Sequence, residues 1–139
     1  MTRNPNNIFI DTNVLIGAGR SLKKDTDCIH YLLSLNGKRL FISSLSFAQY
    51  VSVFQKRETN DNLKKKAKEL LDRFNVLSFT EEDAKESLVE SGGDLEDNIQ
   101  HVISRKMKCG IFITNNVKDY RVFSGITVIS PANVRAIRR

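Results

Sequence analysis

Five short apolar runs rich in β-branched and aromatic residues, at 8–10, 40–42, 76–79, 110–114 and 126–129, alternate with longer stretches of helical periodicity. That alternation restricts the chain to few architectures. Runs this short, without polar alternation, suit strands buried on both faces. The stretches between them read as helices at 25–35, 44–55, 60–74, 80–90 and 94–107, with a final short helix after Pro131. Ile29, Leu32 and Leu33 share a face of the first, which stops at Asn36-Gly37. Leu63, Ala67, Leu70, Leu71 and Phe74 form the stripe of the third. A serine precedes 44–55 as a cap, and Thr80 with Asp83 makes a capping box. Strands alternating with helices predict a parallel sheet with helices on both faces. The 139 residues favour one domain spanning 1–139, and the only linker-like stretch, Ser91-Gly92-Gly93, is too short to divide it.

Composition narrows the function classes. Hydrophobic residues make up 40% and charged residues 27%, ordinary for a globular chain, and no apolar run is long enough to span a bilayer. The first residues lack the apolar core of a secretory signal, so a cytoplasmic location is expected. Cys28 and Cys109 match no metal spacing and read as reduced thiols, Cys28 as core filler. The net charge of +6 favours polyanions, foremost nucleic acid, although a basic surface can simply be solvated.

The chemistry-bearing residues are acids at element ends. The run at 8–10 stops at Asp11, then turns through Thr12 and Asn13. In open α/β sheets, ligands bind at the carboxyl ends of strands, so Asp11 points into a crevice. Helical spacing puts Asp94, Asp97 and His101 on one face, with Leu95, Ile99 and Val102 turned to the core. Glu96 projects elsewhere but lies near enough to the helix end to bend inward. Asp94 alone reads as an N-cap, whereas Asp97 lies too deep for capping to explain it. Two like charges on a face call for a positive compensator, and a divalent cation is the natural one. A third strand end, at 110–114, leads through Thr114, Asn115 and Asn116 to Asp119.

Phe9-Ile10-Asp11-Thr12-Asn13, Asp94-Leu95-Glu96-Asp97-Asn98-Ile99-Gln100 and Ile113-Thr114-Asn115-Asn116-Val117-Lys118-Asp119-Tyr120 resemble, in order and spacing, the successive signatures of the PIN domain family. The nearest branch by pattern is the bacterial PIN-like ribonucleases of toxin type. The resemblance implies a three-layer α/β/α fold with a mainly parallel central sheet, and a metal-dependent ribonuclease, often paired with an antitoxin. By position it implies Asp11, Asp97 and Asp119 as site acids, with Asp94 as an extra acid. Thr12, Asn13, Thr114 and Asn116 then fall on supporting polar positions. One position departs: many such nucleases carry a glutamate where Ser44-Leu45-Ser46-Phe47-Ala48-Gln49 places Gln49, which brings no charge.

Hard cations held by oxygen ligands suit phosphodiester hydrolysis, so Mg²⁺ or Mn²⁺ is the expected cofactor, bound by Asp11, Asp94, Asp97 and Asp119. RNA, single-stranded or structured, would be gripped by Lys23, Lys24, Lys38, Arg39 and Lys118, whereas Lys64, Lys65, Lys66 and Lys68 read as a solvated helix face. His101 and His30 read as supporting or surface residues. An antitoxin and a homodimer are further expected partners, with Phe47, Tyr50 and Phe54 as either dimer surface or core. The alternative to the nuclease is a catalytically weak module binding RNA or protein, favoured by Gln49. A phospho-receiver or haloacid-type phosphotransferase lacks the accompanying acids those chemistries need.

Overall fold

The computed structural model describes residues 2–90, 94–120 and 123–138; the expected linker at 91–93 lies outside them. Five strands, β1 (Asn4–Ile10), β2 (Arg39–Ser43), β3 (Asn75–Leu77), β4 (Cys109–Ile113) and β5 (Thr127–Ile129), form one sheet in the order β3-β2-β1-β4-β5. Every pairing is parallel. The helices are α1 (Thr12–Gly19), α2 (Lys23–Leu33), α3 (Ser44–Phe54), α4 (Asn60–Arg73), α5 (Glu81–Val89), α6 (Leu95–Arg105) and α7 (Val117–Tyr120), followed by a 3-10 turn at Pro131–Ala136.

The two faces of the sheet carry different chemistry. Ile8 sits beside Leu40 and Ile111, and Phe9 beside Phe41 and Phe112. Because side chains alternate along a strand, the aliphatic residues Ile8, Ile10, Leu40, Ile42, Ile111 and Ile113 meet the core with α1–α4. Phe9, Phe41 and Phe112 face the other way, towards Ile103 of α6 and Tyr120 of α7. Phe9 and Phe112 stack with ring centroids 5.1 Å apart. Each such fully buried side chain contributes roughly 1.5–3 kcal/mol relative to exposure. Helices therefore cover both faces, as strand–helix alternation requires.

Local signals explain most boundaries. Ser43 caps α3 by accepting the Ser46 N–H at 2.9 Å, and Thr80 and Asp83 form the capping box that opens α5. Gly37 turns at φ +76°, a conformation that favours glycine. Helix α1 was not legible as a helix, since Val14-Leu15-Ile16-Gly17-Ala18-Gly19 has no polar face to set a period. Leu33, Leu71 and Leu95, expected to point inward, are 41%, 54% and 50% exposed. Tyr50 and Phe54 belong to the core, which removes them as a dimer surface. Lys66 is half-buried, bonded to the Gly19 carbonyl at 3.0 Å, so the lysine run is not uniformly solvated. Cys28 and Cys109 are buried free thiols, each pushed by burial up to about 12. Among the described residues, no helix is long and apolar enough to cross a membrane.

Candidate active site

The chain leaves β1 towards β2 on one flank and returns as β4 on the other, so strand order reverses at β1 and a crevice opens at its carboxyl end. Asp11 is the first residue beyond β1. Its N–H donates to the Ile113 carbonyl at 2.9 Å, and its side chain caps α1, Oδ1 accepting the Thr12 N–H at 2.8 Å. Thr114, the first residue beyond β4, donates from Oγ1 to Asp11 Oδ2 at 2.8 Å, and Asn13 Nδ2 donates to the same oxygen at 3.1 Å. Two adjacent strand ends thus hold one carboxylate, 6% exposed, from three sides.

Asp11 opens onto a cavity of about 390 Å³. Asp97, in the first turn of α6, lines the same cavity, together with Thr12, Asn13, Gln49, Glu96 and Asn116. Glu96 borders the cavity while remaining exposed. Ile16 and Val53 supply an apolar wall. The Tyr120 hydroxyl hydrogen-bonds to both Asp11 and Asp97. Its ring is 1% exposed and packs on Phe112 at 4.3 Å, so the hydroxyl is delivered from within the aromatic core.

Burial pushes the Asp11 carboxyl up to about 6; the Thr114 and Thr12 bonds resist, and the charge of Asp97 adds to the rise. Asp97 is also raised, first by burial, with Asp94 and Asp119 adding repulsion and Tyr120 opposing it. Burial and the two carboxylates keep the Tyr120 phenol protonated far above the usual phenol range. The cavity therefore disfavours ionisation of both carboxylates at once.

Gln49 occupies the departing position as a neutral acceptor. Its Oε1 takes the Thr12 hydroxyl proton at 2.8 Å. Gln100 Nε2 donates to Thr12 Oγ1 at 3.1 Å and to Ser46 Oγ at 3.0 Å, and Ser43 Oγ donates to Ser46 at 3.0 Å. This buried network fastens α1, α3 and α6 beneath the cavity. Sequence reasoning singled out neither Gln100 nor Tyr120. Both close quoted family signatures but were given no role there, and only their contacts distinguish them.

The remaining expected residues separate. Asp94 is the N-cap of α6, its Oδ1 accepting the Asp97 N–H at 2.8 Å, and it stands outside the cavity wall, acting on Asp97 through charge. Asp119 is exposed on α7 and borders a neighbouring groove with Asn115, Asn116 and Lys118. His101 does not join the acids. It is buried, bonded through Nδ1 to Glu90 and stacked on Phe123 at 4.0 Å, and burial lowers its pKa. His30 is exposed. Lys24 bonds to Asn115 Oδ1 at 2.5 Å, and Lys23 pairs with Asp27 at 2.6 Å. Lys38 and Arg39 lie at the amino end of β2, opposite the cavity, with Lys38 bonded to Asn6 at 2.8 Å and Arg39 over the Phe41 ring.

Solved structures share this architecture. A toxin–antitoxin complex from Klebsiella pneumoniae is 20% identical, covers 89% of this chain and 97% of its own, and superposes with a TM-score of 0.68. VapBC-1 from nontypeable Haemophilus influenzae is 18% identical, with 90% and 98% covered and a TM-score of 0.68. VapBC2 from Rickettsia felis, bound to a promoter DNA fragment, is 15% identical, with 89% and 98% covered and a TM-score of 0.66. No curated protein matches. The PIN domain family matches residues 7–118, a span that takes in both strand ends, Asp97 and Lys118. With the acids of β1 and α6 facing one cavity on an all-parallel sheet, the chain belongs to the PIN domain family.

Proposed function

We propose that this chain is a divalent-metal-dependent endoribonuclease of toxin type, held in check by an antitoxin. The observation that carries the reading is the pair Asp11 and Asp97, facing one cavity with raised proton affinities and no cationic side chain lining it. The cavity offers oxygen and amide donors but no thiol or imidazole, which suits a hard cation. Among the described residues, no three His, Cys, Asp or Glu side chains are grouped to hold an ion unaided. Mg²⁺ needs no such cage, since it is bound by one or two carboxylates and keeps several waters. Asp11 and Asp97 would hold Mg²⁺ or Mn²⁺ directly, with Asp119 and Asp94 adding negative charge beside them.

When bound, the cation supplies Lewis-acid polarisation of the phosphate and acidifies its water. The chain does the rest. Asp11, fixed by Thr12, Asn13 and Thr114, is an immobile ligand. Asp97, less buried than Asp11, would share the cation with it and take the proton of the attacking water. Tyr120, its hydroxyl held protonated, would donate to this pair. Asn116 lines the cavity, Lys118 borders the adjoining groove and Lys24 is bonded to Asn115 within it; these would take the RNA backbone, a role that gives affinity rather than sequence choice.

The toxin assignment rests on shared architecture with the toxin–antitoxin structures and implies a small protein partner. A homodimer would use surfaces other than Tyr50 and Phe54. Gln49 favours a second reading, a weak nuclease that chiefly binds RNA or protein, because its carbonyl is taken by Thr12 and brings no charge. Cleavage of single-stranded RNA in Mn²⁺ decides between them. The nuclease cuts, is silenced by EDTA and by Asp97→Asn, and is inhibited by the co-expressed antitoxin. Mn²⁺ binding without any cleavage would establish the binding module instead.

A further inference from the structure

Asp25 is a second buried carboxylate, outside the cavity. It lies in the first turn of α2 and is 1% exposed. A first-turn acid ordinarily stays in solvent near the helix dipole. Here the carboxylate is pressed against α1 at a residue without a side chain. A Cβ on Gly17 would fall 1.7 Å from Asp25 Oδ2, so no other residue fits at that position while the carboxylate stays where it is.

The position of Asp25 is used. Asn115 Nδ2 donates to Asp25 Oδ1 at 3.2 Å, while Asn115 Oδ1 accepts from Lys24 at 2.5 Å. The Asn115 amide is thereby pinned at both ends by neighbouring residues of α2. Its backbone N–H donates to Asn13 Oδ1 at 3.1 Å. That bond orients the Asn13 amide, whose Nδ2 donates to Asp11 Oδ2 at 3.1 Å and to Thr114 Oγ1 at 3.2 Å. An unbroken chain of hydrogen bonds runs from α2, through the loop after β4, to the carboxylate at the end of β1.

We propose that Asp25 is a positioning residue that fixes the orientation of Asp11 through Asn115 and Asn13, with Gly17 providing the space for it. The metal-related part of this inference rests on the nuclease reading above; the coupling itself does not. Outer partners that orient a ligating carboxylate are commonly worth about 10- to 100-fold in metal affinity or activity. Asp25 touches neither the cavity nor a substrate, so its effect must travel through the amides.

The test uses the full chain with Asp25→Ala, Asp25→Asn and Asn115→Ala. In EDTA, the ¹H–¹⁵N signals of the Thr12 backbone amide and the Asn13 side-chain amide report the Asp11 carboxylate. Asp25→Ala and Asn115→Ala shift both signals, and Asp25→Asn, which keeps an acceptor for Asn115, restores them. In Mn²⁺ titrations the two alanine variants bind at least about tenfold more weakly, and Asp25→Asn binds as the wild type does. Should Asp25→Ala fail to fold, Asn115→Ala on the loop side reads the same link. Folded alanine variants with both signals at their wild-type positions would overturn the proposal. Shifted signals in the alanine variants, combined with a wild type that binds no Mn²⁺, would uphold the coupling and sink the metal-dependent nuclease reading instead.

Discussion

Thr114 donates its hydroxyl proton to Asp11 at 2.8 Å across 103 positions of sequence. Both residues are the first beyond their strands, so the bond exists only because β1 and β4 are neighbours in register. Seating of the Asp11 carboxylate and correct strand pairing are thus one condition, and the first prediction follows. Thr114→Val keeps the shape, removes the donor and leaves a buried carboxylate one partner short. Stability falls by about 1–3 kcal/mol, read as a lower urea midpoint in the absence of metal.

Asp97→Asn preserves the N–H capped by Asp94 and therefore the start of α6. Loss of a general base costs about 10²–10⁴ in rate. RNA cleavage drops by that factor with the circular dichroism spectrum unchanged. Wild-type cleavage by a folded Asp97→Asn protein would refute the assigned role.

The pH dependence follows from Asp11. Its carboxyl rises from 3.8 to about 6 on folding, so the folded state binds the proton more tightly. Stability from this group is fully present below pH 3.8 and is lost as the pH rises through about 6. Asp83, whose pKa is lowered beside Lys106 and Thr80, opposes the trend. The contribution of Asp11 is therefore the difference between wild type and Asp11→Asn. In EDTA, thermal melts of the wild type lose stability relative to Asp11→Asn between pH 4 and 6.5, an interval set by roughly those two pKa values. Saturating Mn²⁺ removes the difference if the ion compensates the charge.

Tyr120→Phe retains the ring packed on Phe112 and deletes only the hydroxyl shared by Asp11 and Asp97. The expected outcome is a fall in kcat with KM little changed, because the carboxylates are misplaced while the RNA contacts persist. Phe112→Ala strikes the same core from the other side. It removes the stack with Phe9 and costs about 3–5 kcal/mol in chemical denaturation.

RNA contact can be mapped by salt. In the Asp97→Asn background, Lys118→Ala weakens RNA binding and lowers the salt slope by about one. Lys38→Ala, at the far end of the sheet, leaves the slope unchanged. An equal effect of both substitutions would place the RNA elsewhere.

Asp11 was legible in sequence because it ends an apolar strand, where packing alone gives no reason for a carboxylate; Asp97 proves to stand in the first turn of α6, nearer the helix start than its spacing suggested, and was legible through its shared face with Asp94 and the family pattern rather than through its depth. The parallel sheet was legible for a related reason, since runs such as Ile111-Phe112-Ile113 leave no polar face for solvent. Tyr120 and Gln100 were hidden, because their role lies in a terminal polar atom that periodicity does not register. Asp25 was hidden by its place in a helical first turn, where acids are common for dipole reasons. His101 was misplaced because α6 is buried on a wider arc than its leucine, isoleucine and valine positions suggest, with Asn98, Gln100, His101 and Ser104 all inside. The amino end of β1, Asn4-Pro5-Asn6-Asn7, is polar and lay outside the apolar run at 8–10, yet Asn7 is buried and bonds to the Met107 carbonyl at 2.7 Å.

The division of the sheet into an aliphatic side and a phenylalanine side has a genetic corollary. Losing or gaining one codon within β1 would exchange Ile8 and Ile10 for Phe9 across the sheet, and with the same half-turn would rotate Asp11 out of the crevice. The chain can tolerate such length changes in its connecting turns but not in that strand, so parity of β1 is the feature that any drift of this gene must conserve.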